Sequence, residues 1–259
     1  MTDSQNAYEP SDKSADVAPR SWTAWAVPIF VPILIGWVLY SFPPTSWKVP
    51  DRLSNVGALS PQSEQDELAA VENAILWKNS LFMFGLAGLS IGLAGFLFHG
   101  SSATKHLVQV IAVLCCGAAS GLVAATLGIL LRQYFDQGFP IPLIGAASRP
   151  LFCDGAVLTL ISILLLLPIA LLLCMQPSKE EKQKGFAVPL AGLLAGVLSP
   201  IVCSIVSPNT STSIFPPYGF AFTISWFVLM ALMTTLVVAF MGQKEAKPSP
   251  DNEPASHNG

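Results

Sequence analysis

Two apolar runs separated by a short polar hinge constrain this chain more than any other feature. The first, residues 81–98, reads Leu-Phe-Met-Phe-Gly-Leu-Ala-Gly-Leu-Ser-Ile-Gly-Leu-Ala-Gly-Phe-Leu-Phe, and the second, residues 107–131, carries Cys115-Cys116-Gly117 and Ser120-Gly121 at its centre. Each is long enough to cross a hydrocarbon layer of ~30 Å, and a hinge over residues 99–106 is too short to hold a soluble fold. The sequence therefore predicts an antiparallel transmembrane hairpin on which the rest of the chain packs. Composition agrees: 52% of the 259 residues are hydrophobic and 11% charged, against roughly 25% charged in a soluble domain.

Four further apolar segments extend the hairpin to an all-α polytopic bundle of six spans: 22–42, 75–98, 107–131, 151–174, 186–206 and 220–241. Trp22, Trp25, Trp37 and Tyr40 lie near the ends of the first, where aromatic belts form. A cleaved signal peptide needs a basic start and a small-residue cleavage site. The segment before this span is net acidic and the span ends in Trp37-Val-Leu-Tyr40, so the span is expected to be retained. Residues 1–21 and 243–259 have the polar, proline-containing composition of disordered tails.

Within the long connection that follows the first span, Ser60-Pro61 is a helix start, and Leu68, Val71 and Ile75 recur at helical spacing. An amphipathic helix over about 61–74 is expected to run straight into the second span. The fourth span, Leu-rich around Ile163 and broken by Pro168, offers few small residues and is expected to face lipid.

The glycines carry the packing signal. Gly85, Gly88, Gly92 and Gly95 are three and four residues apart, Gly117 and Gly121 offer a matching face on the third span, and Gly192 and Gly196 repeat the spacing on the fifth. Small residues on one face let helix backbones approach closely, so the bundle is expected to pack around the second, third and fifth helices. No strand precedes these glycines and no Gly-Lys-Ser/Thr follows, which excludes a phosphate-binding loop. The likeness of Leu86-Ala-Gly-Leu-Ser-Ile-Gly92 to Leu190-Ala-Gly-Leu-Leu-Ala-Gly196 raises a three-plus-three inverted repeat, although small-residue spacing recurs by chance in unrelated spans.

Few residues could carry chemistry. Asp154 is the carboxylate nearest the apolar interior, and the topology puts it on the same side as Lys78, Arg132 and Asp136. An ion-pair cluster of Asp154 with Lys78 or Arg132 is one reading, and interfacial residues pointing at water or headgroups is the other. His99, His106 and His257 all fall outside the spans, so the histidine or lysine base of an intramembrane protease and the closely spaced ligands of a metalloprotease are missing. His99 with His106 reads as a solvated turn. Cys115 and Cys116 have no basic neighbour to activate a thiol, and all five cysteines lie in or beside apolar runs as small hydrophobes. Asn209-Thr-Ser211 fits a glycosylation triplet, which matters only in a glycosylating secretory pathway. No catalytic, metal-binding or cofactor-binding residue is assigned. A net charge of -3 gives no footprint for nucleic acid.

With the N-terminus inside, the cytoplasmic segments hold Lys13, Arg20, Lys105, Lys179, Lys182, Lys184, Lys244 and Lys247, and the outer segments hold Lys48, Arg52, Lys78, Arg132 and Arg149. The excess of basic residues predicts both termini in the cytoplasm. The block from Val71-Glu-Asn-Ala-Ile-Leu-Trp-Lys78-Asn79, through the glycine ladder and Gly117-Ala-Ala-Ser-Gly121, to Arg132-Gln-Tyr134 and the fourth span resembles uncharacterised multi-pass membrane proteins of planctomycete bacteria, and so does the start at Asn6-Ala-Tyr-Glu-Pro10. That resemblance, over about residues 71–175, implies an inner-membrane location and brings no activity or ligand. The expected role is non-enzymatic: structural, or binding another membrane or periplasmic protein within the lipid bilayer. The alternative is a carrier or channel for a neutral or weakly polar solute, with Ser90, Ser120, Ser162 and Ser225 lining a path.

Overall fold

The computed structural model describes residues 23–41, 47–98, 106–137, 149–176, 178–206 and 220–243. These residues form six α-helices: α1 (Thr23–Ser41), α2 (Gln62–Phe98), α3 (His106–Asp136), α4 (Arg149–Cys174), α5 (Lys179–Val206) and α6 (Phe220–Gln243). A single 3-10 turn, Asp51–Leu53, precedes α2, and the described residues contain no strand. Backbone groups in lipid must be satisfied within the segment, and helices achieve this. Five of the six, α2 to α6, are long and apolar enough to cross a membrane, and α1, described in full over Ala26–Ser41, is apolar as well. The chain is a multi-pass helical membrane protein. The tails, the hinge with His99, and Asn209 lie outside the described residues, and so does the side chain of His106.

The helices alternate in direction. Along α2 and α3, Phe84 lies beside Gly121, Gly88 beside Gly117, and Gly92 beside Val113. Along α4 and α5, Thr159 lies beside Gly196, Ile163 beside Gly192, and Ala170 beside Gly185. Gly36 of α1 faces Ala87 and Ile91 of α2, and Cys203 of α5 meets Phe222 of α6. With six alternating helices, α1 begins and α6 ends on the same side of the bundle.

Each helix packs on its chain neighbours, α6 closes back onto α1, and α2 also touches α4. The expected packing around the second, third and fifth helices is therefore corrected: α5 packs chiefly on α4 and α6. The expectation for the fourth span fails too, because α4 is the most enclosed of the five long apolar helices and α3 the least. The reason is complementarity. Close packing needs small residues on one partner only, and α4 receives them from its neighbours: Gly192 and Gly196 meet its backbone, while Gly92 and Gly95 admit Pro168, Ile169 and Leu172. Gly88 of α2 meets the α3 backbone and Gly192 and Gly196 of α5 meet that of α4, while Gly92 and Gly95 of α2 also reach α4.

Helix boundaries run past the hydropathy limits wherever a polar turn can stand clear of lipid. The amphipathic segment and the second span are one helix of 37 residues, about 55 Å long at 1.5 Å per residue. Crossing the hydrocarbon uses ~20 residues, so the first 17 or so, through Lys78, form an extension of about 25 Å. We call the side that carries it the extension side. Helix α3 continues five residues past Leu131 to Asp136, and α5 starts at Lys179, seven before Phe186.

The core is built by the inward faces of α1, α2, α4 and α6, with Ile29, Ile33, Phe84, Ile91, Ile161, Leu165 and Met230 all buried. Toward the extension side the rings of Tyr40, Phe84, Trp226 and Phe227 pack on one another with centroids 5.1–6.4 Å apart. Trp226 donates its indole N–H to Ser162 Oγ at 2.9 Å, and Trp37 donates to Thr223 Oγ1 at 3.2 Å, so both indoles are satisfied.

A methyl group at Gly88 would press into the Gly117 carbonyl, and one at Gly121 into the Phe84 carbonyl, with no flexible side chain able to yield. Gly88→Ala and Gly121→Ala are expected to cost about 1–3 kcal/mol each. Gly85→Ala, whose nearest atom is the Leu122 side chain at 3.3 Å, and Gly57→Ala, with nothing within 4 Å, are expected to leave stability nearly unchanged. Equilibrium unfolding in detergent measures the contrast.

Candidate functional site

The charged residues at membrane depth gather at the two ends of the bundle. On the extension side, Arg132 in the last turns of α3 reaches across to α4, where its Nη1 donates to Asp154 Oδ1 at 2.5 Å. Its Nε donates to Asp136 Oδ2, four residues on, at 3.3 Å. Asp154 is 5% exposed and Arg132 16%, while Asp136 is 61% exposed. One guanidinium thus serves two carboxylates, one sunk between helices and one at the surface. The neighbouring Gln133 donates to Asn73 Oδ1 of α2 at 3.4 Å, so consecutive residues of α3 hold α4 and the α2 extension.

Local structure explains this placement. Arg132 and Asp136 are i,i+4 partners only because α3 stays helical beyond its apolar run. Hydropathy ends the span at Leu131 and hides that pairing. Of the three residues expected to cluster, the structure joins Arg132 and Asp154. Lys78 is exposed and forms no ion pair among the described residues. It sits on the outer face of the extension, where a lysine can reach water directly.

A second charged group, absent from the sequence reading, lies at the other end. Lys184 is 1% exposed, and its ammonium donates to Glu180 and, at 3.1 Å, to Glu181. Both carboxylates lie in the first turn of α5, where negative charge also suits the helix dipole. The neighbouring Gly185 lets α5 press against the end of α4: a Cβ at that position would lie 2.8 Å from the Ala170 carbonyl oxygen. This approach encloses Lys184. The signal available was the Glu-Glu-x-x-Lys spacing followed by glycine.

The serines that could line a solute path are committed to local bonds. Ser90 donates to the Ala87 carbonyl, Ser120 to Gly117 and Ser225 to Ala221, while Ser162 accepts from Trp226. All five cysteines are free thiols. Among the described residues no three His, Cys, Asp or Glu side chains come together to hold a metal ion. The Arg132–Asp154 pair fastens α3 to α4 by a charge-assisted bond, and the Lys184 group lies within the start of α5.

The glycines expected to pack helices do so at Gly88, Gly92, Gly117 and Gly121 between α2 and α3, at Gly95 against α4, and at Gly192 and Gly196 between α5 and α4. Gly85 meets only a leucine side chain. Gly36 and Gly185 act the same way as the packing glycines, and neither is legible from spacing, since neither belongs to a glycine pair four residues apart.

Removing one member of a buried ion pair leaves the other uncompensated. Asp154→Asn and Arg132→Gln are each expected to destabilise the protein by about 2–3 kcal/mol, below the ~3–5 kcal/mol of a fully buried pair because Arg132 retains solvent contact and Asp136. The double variant should cost less than the sum, and Lys78→Gln should leave stability unchanged. A double-mutant cycle in detergent unfolding checks all four.

No family model matches the chain, and neither a curated protein nor a solved structure shows significant similarity to it.

Proposed function

We propose that this protein is a non-enzymatic scaffold of a bacterial inner membrane, with both termini in the cytoplasm, that presents the α2 extension to a periplasmic or membrane partner. The observation that carries the reading is α2 itself. One unbroken helix of 37 residues joins an exposed polar segment to the glycine-packed α2/α3 pair, so whatever binds outside the lipid is coupled rigidly to the bundle. The extension is braced along its length: Arg52 pairs with Glu67, Gln65 Nε2 donates to the Ser60 carbonyl at 2.7 Å, and Gln133 holds Asn73. Glu64, Asp66, Ala69, Ala70, Glu72 and Ala74 remain exposed along it, a surface suited to a polar protein contact.

The filled centre supports a scaffold over a carrier. A carrier needs a hydrated site near the midplane, commonly where broken helices face inward, whereas here Ile33, Ile91, Ile161, Leu165 and Met230 are buried in the body of the bundle and the rings of Tyr40, Phe84, Trp226 and Phe227 close it toward the extension side. The cytoplasmic termini and the inner membrane rest on the distribution of basic residues and on the planctomycete resemblance.

Single cysteines in a background lacking the five native ones test this. A membrane-impermeant thiol reagent applied to intact cells is expected to label Ala70→Cys on the extension and to leave Ala87→Cys, Ile91→Cys, Ala191→Cys and Ala195→Cys unlabelled. Labelling along the deep positions would replace the scaffold with a carrier for a neutral solute, and labelling of Ala70→Cys only after lysis would invert the topology.

A further inference from the structure

Helix α5 turns its glycines to one side. Gly185, Gly192 and Gly196 all meet α4, and Val188, Ala191 and Ala195 are buried on the same inward half. The outward side is built differently. Lys179, Lys182, Phe186, Leu190 and Val197 are all exposed, and spacings of four and seven residues set them in one stripe along the helix.

The charges at the start of this stripe are sorted by face. Glu180 and Glu181 both turn to the enclosed Lys184, whereas Lys179 and Lys182 enter no ion pair among the described residues. At this end of the bundle the described residues carry three lysines and two glutamates, all in the α5 start, while on the extension side acids outnumber bases. The two glutamates being engaged, the outward stripe opens on two uncompensated ammonium groups followed directly by apolar surface.

The levels match one leaflet of a bilayer. From Phe186 to Val197 the exposed stripe rises about 16 Å at 1.5 Å per residue, close to half of a ~30 Å hydrocarbon layer. Lys182 stands one turn before Phe186, about 6 Å further out, which is the depth of the headgroup layer, and the lysine stem can run along Phe186 while its ammonium stays among phosphates. The occupant of this face is lipid and not another helix, because close helix association in lipid calls for small residues and the stripe between Phe186 and Val197 presents leucines.

We infer that the outward face of α5 is a binding site for one anionic phospholipid, its phosphate held by Lys179 and Lys182 and an acyl chain laid along Phe186, Leu190 and Val197. Unpaired lysines at headgroup level attract anionic lipid over a zwitterionic one, whose own cation offsets the phosphate. The site lies at the end of the bundle opposite the α2 extension and holds whichever side of the membrane that end faces.

Native mass spectrometry of the whole protein in a neutral detergent, with added dioleoyl phosphatidylglycerol or dioleoyl phosphatidylcholine, tests the site. The unmodified chain is expected to bind the first lipid at least about fivefold more tightly than the second, the scale set by lysines near a membrane surface. Lys179→Gln with Lys182→Gln should abolish that preference, and Lys179→Arg with Lys182→Arg should keep it. Lys48→Gln with Lys78→Gln, which removes two exposed lysines on the extension side, should also keep it. Equal affinity of the unmodified chain for the two lipids overturns the site, as does a preference that survives the Lys179 and Lys182 glutamine pair. An equal loss in the Lys48 and Lys78 pair overturns it too, since the attraction would then be diffuse.

Discussion

Backbone lies against backbone at Gly88, Gly117 and Gly121, and the rest of the bundle depends on that contact. In lipid there is no hydrophobic drive to bring two apolar helices together, so association rests on van der Waals contact and on whatever polar bonds cross the interface. Removing side chains from both partners lets the α2 and α3 backbones meet, while glycines on one partner alone, Gly192 and Gly196, bring α5 against the α4 backbone. The two pairs then meet through α4, which touches α2, α3 and α5. The ion pair of Arg132 with Asp154 adds one directional bond between α3 and α4 where the helices leave the apolar layer.

The six helices and their class were legible because each apolar run is long, and little besides a membrane helix satisfies such a run. Boundaries were not, since hydropathy reports where lipid ends and not where helix ends. Arg132, Asp136, Glu180 and Lys184 all sit in turns beyond the apolar limits. Partner choice was illegible for a different reason. A glycine ladder announces that something approaches closely without saying what, and α4, which has no ladder of its own, reads as lipid-facing although its neighbours' glycines bring it to the centre.

Of the charged trio on the extension side, the long reach of Arg132 and the depth of Asp154 made that pairing readable. Lys78 shares their level but not their face, and register around a helix is what sequence distance states least well when the neighbouring helix is unknown. The Lys184 group escapes a sequence reading because a start of Lys-Glu-Glu-Lys-Gln-Lys looks like an ordinary solvated helix end. Only the approach of α4 at Gly185 turns that start into an enclosed one.

The uneven distribution of close contacts sets how this chain can diverge. On α3 the outward residues Ile111, Leu122, Val123, Leu127 and Leu130 are exposed to the surroundings of the bundle, where one aliphatic side chain serves as well as another. At Gly88, Gly117, Gly121 and Gly196 even a methyl group collides with backbone. Substitutions can therefore accumulate over most of α3 and α5 while a handful of small residues stay fixed, and the architecture can outlast nearly all of the sequence that first specified it.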